Sequence, residues 1–233
     1  MAAQTPSQEI FLQQWQTYRK ITGANYMFHV EVYDHLQRLL MREAVQPFRL
    51  MDIACGDASW TRLALKGTNI AHYYGVDISE SALDLAAEEL KALNCPVVLQ
   101  RSDFVDAVRA WSEPVDVVWI GQSLHHLRSG EKLPFMRRLR AALGKGGLLV
   151  IWEPTTNEGE DRAGWLKRFE KLRPQWSGLT LDEWSAMVEH IRSADFPETA
   201  ATWHALGRDA GFAGCRDILT VPNELAQVYC YRV

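Results

Sequence analysis

The sequence has few of the features that mark secreted, membrane-spanning or thiolate-metal proteins. Its 233 residues include four cysteines, which form no Cys-x-x-Cys pair and no zinc-type spacing with histidine. No apolar run approaches the roughly 18 residues of a membrane-spanning helix. The first residues, MAAQTPSQEI, lack the cationic and apolar parts of a secretory signal. We therefore expect a cytoplasmic protein with reduced thiols, no membrane contact and no bound metal.

An excess of positive charge is also missing. Lysine and arginine total 25 against 29 aspartate and glutamate residues, which gives a net charge of −4. A nucleic-acid-binding face needs clustered cations, so we expect no nucleic-acid partner. The apolar content of 47% is enough for one well-packed domain of this length with an inserted subdomain. A monomer and a homodimer both remain open.

The stretch from Leu50 to Trp60, LMDIACGDASW, has the pattern of a strand, a tight loop and a helix. In such units a nucleotide-like ligand meets backbone N–H groups at the helix N-terminus. Gly56 and the small Ala54 and Ala58 let the backbone approach a ligand closely. The stretch therefore predicts a cradle for a nucleotide-like cofactor.

Strand-like and helix-like patterns alternate through the middle of the chain. Apolar runs predict strands at 49–54, 72–77, 96–101, 115–121 and 147–153. Periodic apolar positions predict helices between them, at 59–66, 79–93, 104–111 and 131–143. This alternation predicts an α/β fold with a parallel sheet covered by helices on both faces.

Helical patterns also lie outside this alternation. Amphipathic helices are predicted at 7–22 and 25–45, and two or three helices in the tryptophan-rich segment 155–195. A helix at 199–210 then precedes two strands, at 214–221 and 225–232, whose short connection predicts an antiparallel pair. The predicted organisation is a helical cap at 1–48, a cofactor-binding core at 49–154, a helical lid at 155–198 and a closing unit at 199–233.

Acidic residues follow the second and third predicted strands. In an open α/β sheet the ligand lies beyond the carboxyl ends of the strands. Asp77 follows Gly56 by 21 residues and suits a pair of ribose hydroxyls. Asp103 and Phe104, after Ser102, suit the amino group and ring face of an adenine. Asp77 and Asp103 also suit plain helix caps.

Together these segments resemble the class I methyltransferases that use S-adenosylmethionine. Asp52 through Ala58 match the first motif, with Ala54 and Ala58 where glycines are common. Asp77 and Asp103 match the ribose-binding acid and the acid that faces the adenine amine. The segments VDVVWIGQSLHHL and LGKGGLLVIWEP are similar to the motifs of the fourth and fifth strands, and DFPETAATWHALGRDAGF with two strands is similar to the closing unit.

The resemblance implies a Rossmann-like, doubly wound, seven-stranded sheet that is mostly parallel with an antiparallel last strand. It also implies direct displacement of the methyl group from S-adenosylmethionine, with S-adenosylhomocysteine as product. The residues that it assigns to the cofactor are Asp52, Ala54, Cys55, Gly56, Asp77, Ile78, Ser102, Asp103, Phe104, Gly121 and Gln122. Asp52 is expected either to orient its loop or to contact the methionyl end of the cofactor.

The residues on the acceptor side are predicted from side-chain chemistry. His125 and His126 follow the fourth strand, and an imidazole with a pKa near 6.5 suits a general base. Their alternative is a structural or cofactor-contacting role. Polar and aromatic groups near the expected pocket mouth predict an acceptor-binding set of Tyr18, Tyr26, His29, Glu153 and Trp176.

Other functions fit the same residues less well. A nicotinamide-dependent oxidoreductase needs a Gly-x-Gly-x-x-Gly turn, and the turn here has one glycine, Gly56. The Asn/Asp-Pro-Pro-aromatic tetrad of nucleic-acid amino-methyltransferases is absent after the fourth strand, which favours a small-molecule acceptor with an O, N or S nucleophile. A protein or peptide acceptor, and a cofactor-binding protein without catalysis, remain alternatives.

Overall fold

The computed structural model describes residues 6–44 and 46–233, and the side chains from residue 15 onward within those ranges. Residues 1–5 and Val45 of the predicted cap lie outside the described residues. Helix α1 (Pro6–Gly23) and helix α2 (His29–Glu43) come first. Helix α2 is amphipathic and buries Val32, Leu36 and Leu40, and this apolar stripe packs on the sheet.

The sheet has the predicted topology. Its strands are β1 (Phe48–Ile53), β2 (Ile70–Asp77), β3 (Val97–Arg101), β4 (Val115–Gly121), β5 (Leu143–Thr156), β6 (Glu198–Thr199), β7 (Gly214–Thr220) and β8 (Ala226–Arg232). The strand order is β3-β2-β1-β4-β5-β8-β7, and β6 pairs with β5 off this path. Strand β8 runs antiparallel to both of its neighbours, whereas the other pairings are parallel. The predicted mostly parallel sheet with a reversed last strand is confirmed.

Helices connect the strands on both faces of the sheet. They are α3 (Ser59–Leu65), α4 (Glu80–Glu89), α5 (Phe104–Ala110), α6 (Ser129–Ala142), α7 (Arg162–Glu170), α8 (Leu181–Ala194) and α9 (Ala200–Asp209). Short 3₁₀ turns lie at Leu90–Ala92, Leu124–His126 and Arg173–Gln175. Side-chain caps explain some of the starts: the Ser79 hydroxyl accepts from the Ala82 N–H at the start of α4, and Thr180 and Glu183 form a capping box on α8.

The continuous apolar runs of β4 and β5 reflect burial on both faces of the sheet. Trp119 and Trp152 point into the cluster beneath α2. Their neighbours Ile120 and Ile151 point into a second cluster on the opposite face, with α6 and α9. Successive side chains of a strand alternate between faces, so a strand between two helical layers is apolar at every position.

A third apolar cluster belongs to the helical segment between β5 and β6. It includes Trp165, Phe169, Trp176 and Trp184 and packs against Ile21 at the end of α1. The predicted strand at 147–153 proves longer, since β5 runs to Thr156 and pairs there with the two residues of β6. Strand β6 was not predicted, because two residues give no detectable periodicity. Among the described residues, no helix is long and apolar enough to cross a membrane.

Candidate active site

Two adjoining cavities lie at the carboxyl ends of the parallel strands. The first, of about 260 Å³, is bounded by the loops after β1 and β4 and by residues of α1 and α2. The second, of about 280 Å³, lies between β5 and the helices α1, α7 and α8. The two cavities share Tyr18, Met27, Gln122 and Trp152 in their walls. Ligands in the two cavities would therefore lie next to each other.

A larger cavity, of about 390 Å³, lies elsewhere. Its walls include Lys66, Ile70 and Asn94. Ile70 begins β2, so this cavity lies at the amino ends of the strands. Ligands of open α/β sheets bind at the carboxyl ends, where the two smaller cavities lie.

The loops around the first cavity hold non-glycine residues in the left-handed backbone region. Ala54 and Ala58 after β1, and Gln122 after β4, each have φ of 55°. Such a conformation costs on the order of 1–2 kcal/mol for a residue with a Cβ. Gly56, also at 55°, has no atom within 4 Å of the place where a Cβ would lie. Strained backbone in two facing loops indicates a ligand-binding function.

Asp77 joins the loop after β1 to the loop after β2. Its carboxylate accepts hydrogen bonds from the Gly56 N–H at 2.9 Å and from the Ser79 N–H at 2.8 Å. The N-cap of α4 is Ser79 and not Asp77. Each carboxylate oxygen has two lone pairs, so both oxygens of Asp77 keep one for a ligand.

Asp52 is buried below the same loop. Its carboxylate accepts the Tyr73 hydroxyl at 2.6 Å, and burial raises the pKa of this carboxyl to about 7. The contact ties the end of β1 to β2, which fits the loop-orienting alternative. The neighbouring Cys55 is partly buried, and burial raises the pKa of its thiol, so the thiol stays protonated and non-nucleophilic.

The predicted adenine-side residues lie at the same edge of the sheet, outside the walls of the two cavities. One oxygen of Asp103 caps α5 by accepting from the Val105 N–H at 2.8 Å. The Phe104 ring packs edge-on against Phe135, with centroids 5.3 Å apart. Ser102 donates its hydroxyl to the Asp103 carbonyl, and the Ile78 side chain is 69% exposed.

Glu153 is fully buried and fixes the loop after β4. Its carboxylate accepts from the N–H groups of Ser123, Leu124 and His125 at 2.9–3.2 Å, and from Nδ1 of His125 at 2.7 Å. Glu153 does not line the second cavity. The structure thus departs from the expectation that Glu153 meets the acceptor, because its register on β5 places the carboxylate beneath the loop.

His125 and His126 meet a carboxylate that sequence reasoning did not find. Nε2 of His125 and Nδ1 of His126 each lie 3.5 Å from Oδ1 of Asp195, the residue that follows α8. Asp195 is 6% exposed, and its Oδ1 has no hydrogen-bond partner among the described residues. Burial and the neighbouring His125 lower the pKa of His126. All three residues line the second cavity.

His190 was also missed by sequence reasoning. It lies on α8, lines the same cavity, and its ring centroid is 5.6 Å from that of His126. No motif distinguishes Asp195 or His190 in the sequence. Their approach to the histidine pair depends on how α8 packs against α7 and the end of α1.

The rest of the second cavity is mostly apolar, with several aromatic side chains in its walls. Trp176 stacks on Tyr26 with ring centroids 4.9 Å apart, and both line the cavity with Tyr18. The Tyr26 hydroxyl accepts the Gly178 N–H at 2.8 Å, which fixes the ring. The structure therefore brings three of the five predicted acceptor-side residues to this cavity.

His29, the remaining member of that set, lies in the first cavity. Its ring packs against Trp152 with centroids 4.9 Å apart, and burial lowers its pKa to about 4. Its Nδ1 is buried without a hydrogen-bond partner among the described residues. A neutral imidazole with an unused polar atom in the wall of the first cavity suits a polar group of a ligand.

Residues 51–149 match a family model described as a methyltransferase domain. The match covers 99 of the 233 residues, so this part of the chain is similar to a methyltransferase domain. A carboxy-S-adenosyl-L-methionine synthase of Helicobacter hepaticus is 26% identical over 158 residues, which make up 66% of this chain. The matched residues span 64% of that relative, somewhat less than two thirds of its length.

Solved structures share the fold of this methyltransferase domain. The magnesium protoporphyrin IX methyltransferase of Synechocystis, with bound SAH, superposes with a TM-score of 0.62 and 15% identity, over 96% of this chain and 94% of that one. A putative O-methyltransferase of Nostoc punctiforme gives a TM-score of 0.61 and 16% identity, over 92% and 60% of the two chains. Two of these proteins carry the cofactor or its product in their names: carboxy-S-adenosyl-L-methionine in the Helicobacter hepaticus relative and SAH in the Synechocystis structure.

Proposed function

We propose that this methyltransferase transfers the methyl group of S-adenosylmethionine to a small, mainly apolar acceptor held in the second cavity. The observation that carries the proposal is the shared wall of the two cavities, at Gln122 and Trp152. A cofactor in the first cavity then has its acceptor as its direct neighbour. Proximity of this kind supplies much of the rate enhancement in a direct displacement.

The first cavity suits the methionyl and ribose end of the cofactor. The left-handed loop around Gly56 leaves its backbone open on one side, and Asp77 keeps lone pairs for two ribose hydroxyls. Beyond the walls of this cavity, at the same edge of the sheet, the second oxygen of Asp103 remains for the adenine amine, and we assign Ile78, Ser102 and Phe104 to the same end of the cofactor. The remaining cofactor-side residues in our assignment are Asp52, Ala54, Cys55, Gly121 and Gln122.

The residues of the chain bind the cofactor and the acceptor, orient them and exclude water. When bound, S-adenosylmethionine supplies an activated methyl group on a sulfonium sulfur. The aromatic walls around Trp176 exclude water from the acceptor. The group formed by His125, His126 and Asp195 is the polar end of the cavity, and it activates the acceptor's nucleophilic atom. Glu153 acts as a positioning residue because it orients His125.

The lining residues favour a neutral or cationic acceptor. Among the described residues that line the two cavities, none is lysine or arginine. An added carboxylate, which the name of the Helicobacter hepaticus relative denotes, would meet aromatic rings and no cation in these walls. A ring-containing acceptor with a hydroxyl, amine or thiol near the histidine pair fits better.

The segment between β5 and β6 supplies the outer wall of the acceptor cavity. Trp165, Phe169 and Trp176 come from this segment, and their cluster packs on α1. We assign residues 155–198 as the lid of the acceptor site, with 1–48 as the cap on the cofactor side. The core at 49–154 and the closing unit at 199–233 then carry the sheet.

Calorimetric titration with S-adenosylmethionine and S-adenosylhomocysteine tests the first part of the proposal, that the chain binds this cofactor. One cofactor is expected to bind per chain. No binding of either compound would contradict the proposal. Release of S-adenosylhomocysteine can then be followed with a panel of phenols, aromatic amines and aromatic thiols.

The variant Trp176→Ala tests the second part of the proposal, that the acceptor binds in the second cavity. We expect a raised KM for the acceptor and an unchanged cofactor affinity, because Trp176 lines only the second cavity. The matched control is Trp111→Ala, since Trp111 packs on Tyr74 away from both cavities. Equal effects of the two variants on KM would argue against this acceptor site.

A further inference from the structure

We propose that His125, His126 and Asp195 bind one divalent transition-metal ion at the polar end of the acceptor cavity. Each residue offers one ligand atom, and the three atoms lie within 4.8 Å of one another. Both nitrogen–oxygen distances in the group are 3.5 Å. In a tetrahedral site with bonds of about 2.0–2.1 Å, neighbouring ligand atoms are about 3.3–3.4 Å apart. The group therefore has the dimensions of such a site.

The hydrogen bond to Glu153 determines which nitrogen of His125 faces Asp195. The Glu153 carboxylate accepts three backbone N–H groups, so it is an acceptor for Nδ1 of His125 as well, and Nδ1 carries the proton. Nε2 of His125 faces Oδ1 of Asp195 at 3.5 Å. A divalent cation between these two atoms would be bound by the Nε2 lone pair and by the carboxylate oxygen. A carboxylate that holds the outer nitrogen of a ligating histidine is the usual support of a metal site.

Asp195 supplies the second, independent observation. Its Oδ1 is buried and has no hydrogen-bond partner among the described residues, which is costly for a carboxylate oxygen. The backbone around it is held on three sides: Arg162 donates to the Asp195 carbonyl, the Phe196 N–H donates to the His125 carbonyl, and Lys132 donates to the Phe196 carbonyl. The carboxylate is thus held beside the histidines by its backbone, with its side-chain oxygen left for a ligand.

His126 sets one requirement on the site. Its Nδ1 lies 3.3 Å from the Ala194 carbonyl. Ligation through Nδ1 requires the ring proton on Nε2, so this long hydrogen bond is given up when the ion binds. Two imidazoles and one carboxylate favour Zn²⁺, Co²⁺ or Fe²⁺ over Mg²⁺, which prefers oxygen ligands. No bound metal was expected from the sequence, because Asp195 is remote from the histidines in the chain and forms no ligand spacing with them. The proposed site takes the place of that expectation.

The role of the ion rests on the proposed function. The three residues leave at least one coordination position on the cavity side, where a hydroxyl oxygen of the acceptor binds. Coordination lowers the pKa of that hydroxyl, and its proton leaves to water. The oxygen's electron pair then forms the bond to the methyl carbon, while the S–CH₃ bond breaks and its pair stays on the sulfur.

Metal titration of the chelator-treated protein tests the site directly. We expect one Zn²⁺ or Co²⁺ per chain by calorimetry, visible absorption bands typical of tetrahedral Co²⁺, and no comparable binding of Mg²⁺. Asp195→Asn and His126→Ala should each weaken Zn²⁺ binding at least tenfold. The matched controls are Asp182→Asn on the exposed start of α8 and His35→Ala on α2, which should bind as the wild type does.

Cofactor binding is measured on the same samples. Asp195→Asn should retain its affinity for S-adenosylhomocysteine and its melting temperature, which shows that the variant folds. Zn²⁺ binding that the two site variants leave unchanged would overturn the proposal, as would the absence of stoichiometric Zn²⁺ and Co²⁺ binding. If the cofactor binds and the ions do not, the metal site is refuted and the proposed function stands. If the ions bind and the cofactor does not, the proposed function is refuted and the metal site stands.

Discussion

Glu153 accepts hydrogen bonds from both the backbone N–H and the Nδ1 of His125. The end of β5 thereby determines the conformation of the loop after β4 and the orientation of an imidazole in the acceptor cavity. A parallel contact in the backbone, from the Gln122 N–H to the Trp152 carbonyl at 2.7 Å, keeps the two strand ends in register. The loop that carries His125 and His126 is therefore held by hydrogen bonds to the end of β5.

The substitution Glu153→Gln should destabilise the protein by about 2–4 kcal/mol. The glutamine NH₂ group would face N–H donors in a fully buried position, and a buried donor without an acceptor is costly. Urea denaturation measures the effect. Glu158→Gln, at an exposed position after β5, is the control and should change the free energy of unfolding by less than about 0.5 kcal/mol. Similar values for the two variants would contradict the role assigned to Glu153.

The substitution Asp77→Ala should weaken S-adenosylmethionine binding by about 1–3 kcal/mol, roughly 5- to 150-fold in Kd. It removes the acceptors for the ribose hydroxyls and releases the Gly56 N–H. Calorimetric titration gives the Kd. Asp84→Ala, on the exposed side of α4, should leave it unchanged. An unchanged Kd in Asp77→Ala would refute the ribose assignment.

Asp52 should make stability depend on pH. Its folded pKa of about 7 lies above its usual value of 3.8. Between these values the folded state binds more protons than the unfolded state, so this group's contribution to stability is largest at low pH and falls as pH rises to about 7. The substitution Asp52→Asn removes this pH-dependent contribution to stability. Relative to the wild type, the variant should therefore gain about 2–3 kcal/mol between pH 5 and pH 8.

Urea denaturation of both proteins at pH 5 and pH 8 measures this difference. The Tyr73 hydroxyl can still donate to the amide oxygen of the asparagine in the Asp52→Asn variant, so the substitution keeps the hydrogen bond. Asp84→Asn serves as the exposed control. A difference between Asp52→Asn and wild type that is the same at both pH values would show that Asp52 is ionised in the folded protein throughout.

Two helical glycines should respond in opposite directions to alanine. A Cβ on Gly207 of α9 would lie 2.4 Å from the buried Tyr231 ring, whose hydroxyl donates to the Trp203 carbonyl. Gly207→Ala should therefore cost about 1–3 kcal/mol. A Cβ on Gly130 of α6 meets no atom within 4 Å, so Gly130→Ala should stabilise the protein by up to about 1 kcal/mol. Thermal denaturation compares them, and the same sign for both would contradict the packing of α9 on β8.

Local pattern was sufficient to predict the strands of the sheet except the two-residue β6. Residues 117–120 of β4 and 148–152 of β5 are apolar in unbroken runs because helices cover both faces, and the reversal of β8 followed from the family resemblance. The tight loop around Gly56 and the acid at Asp77 followed from the same motif, whereas the left-handed conformation of Ala54 and Ala58 did not. These features are encoded within short segments, where composition and spacing carry the information.

The polar end of the acceptor cavity was predicted only in part. The side chains of His125 and His126 were expected at a strand end, but their partners come from β5 and from the end of α8. Glu153 was expected in the acceptor site, and its actual position beneath the loop depends on the register between β4 and β5. Asp195 approaches the histidines because α8 packs against α7 and the end of α1. Contacts of this kind depend on tertiary packing and leave no periodic signal.

The matched domain, residues 51–149, contains both histidines but neither Glu153 nor Asp195. In the proposed function, the residues assigned to the cofactor therefore all lie in the matched domain, while Glu153 and Asp195 on the acceptor side come from the residues that follow it. If the proposed function holds, the region from α7 to β6 determines the choice of acceptor independently of the loops that hold the cofactor. Replacing it with the corresponding region of another methyltransferase is then expected to change the acceptor and to leave cofactor binding intact.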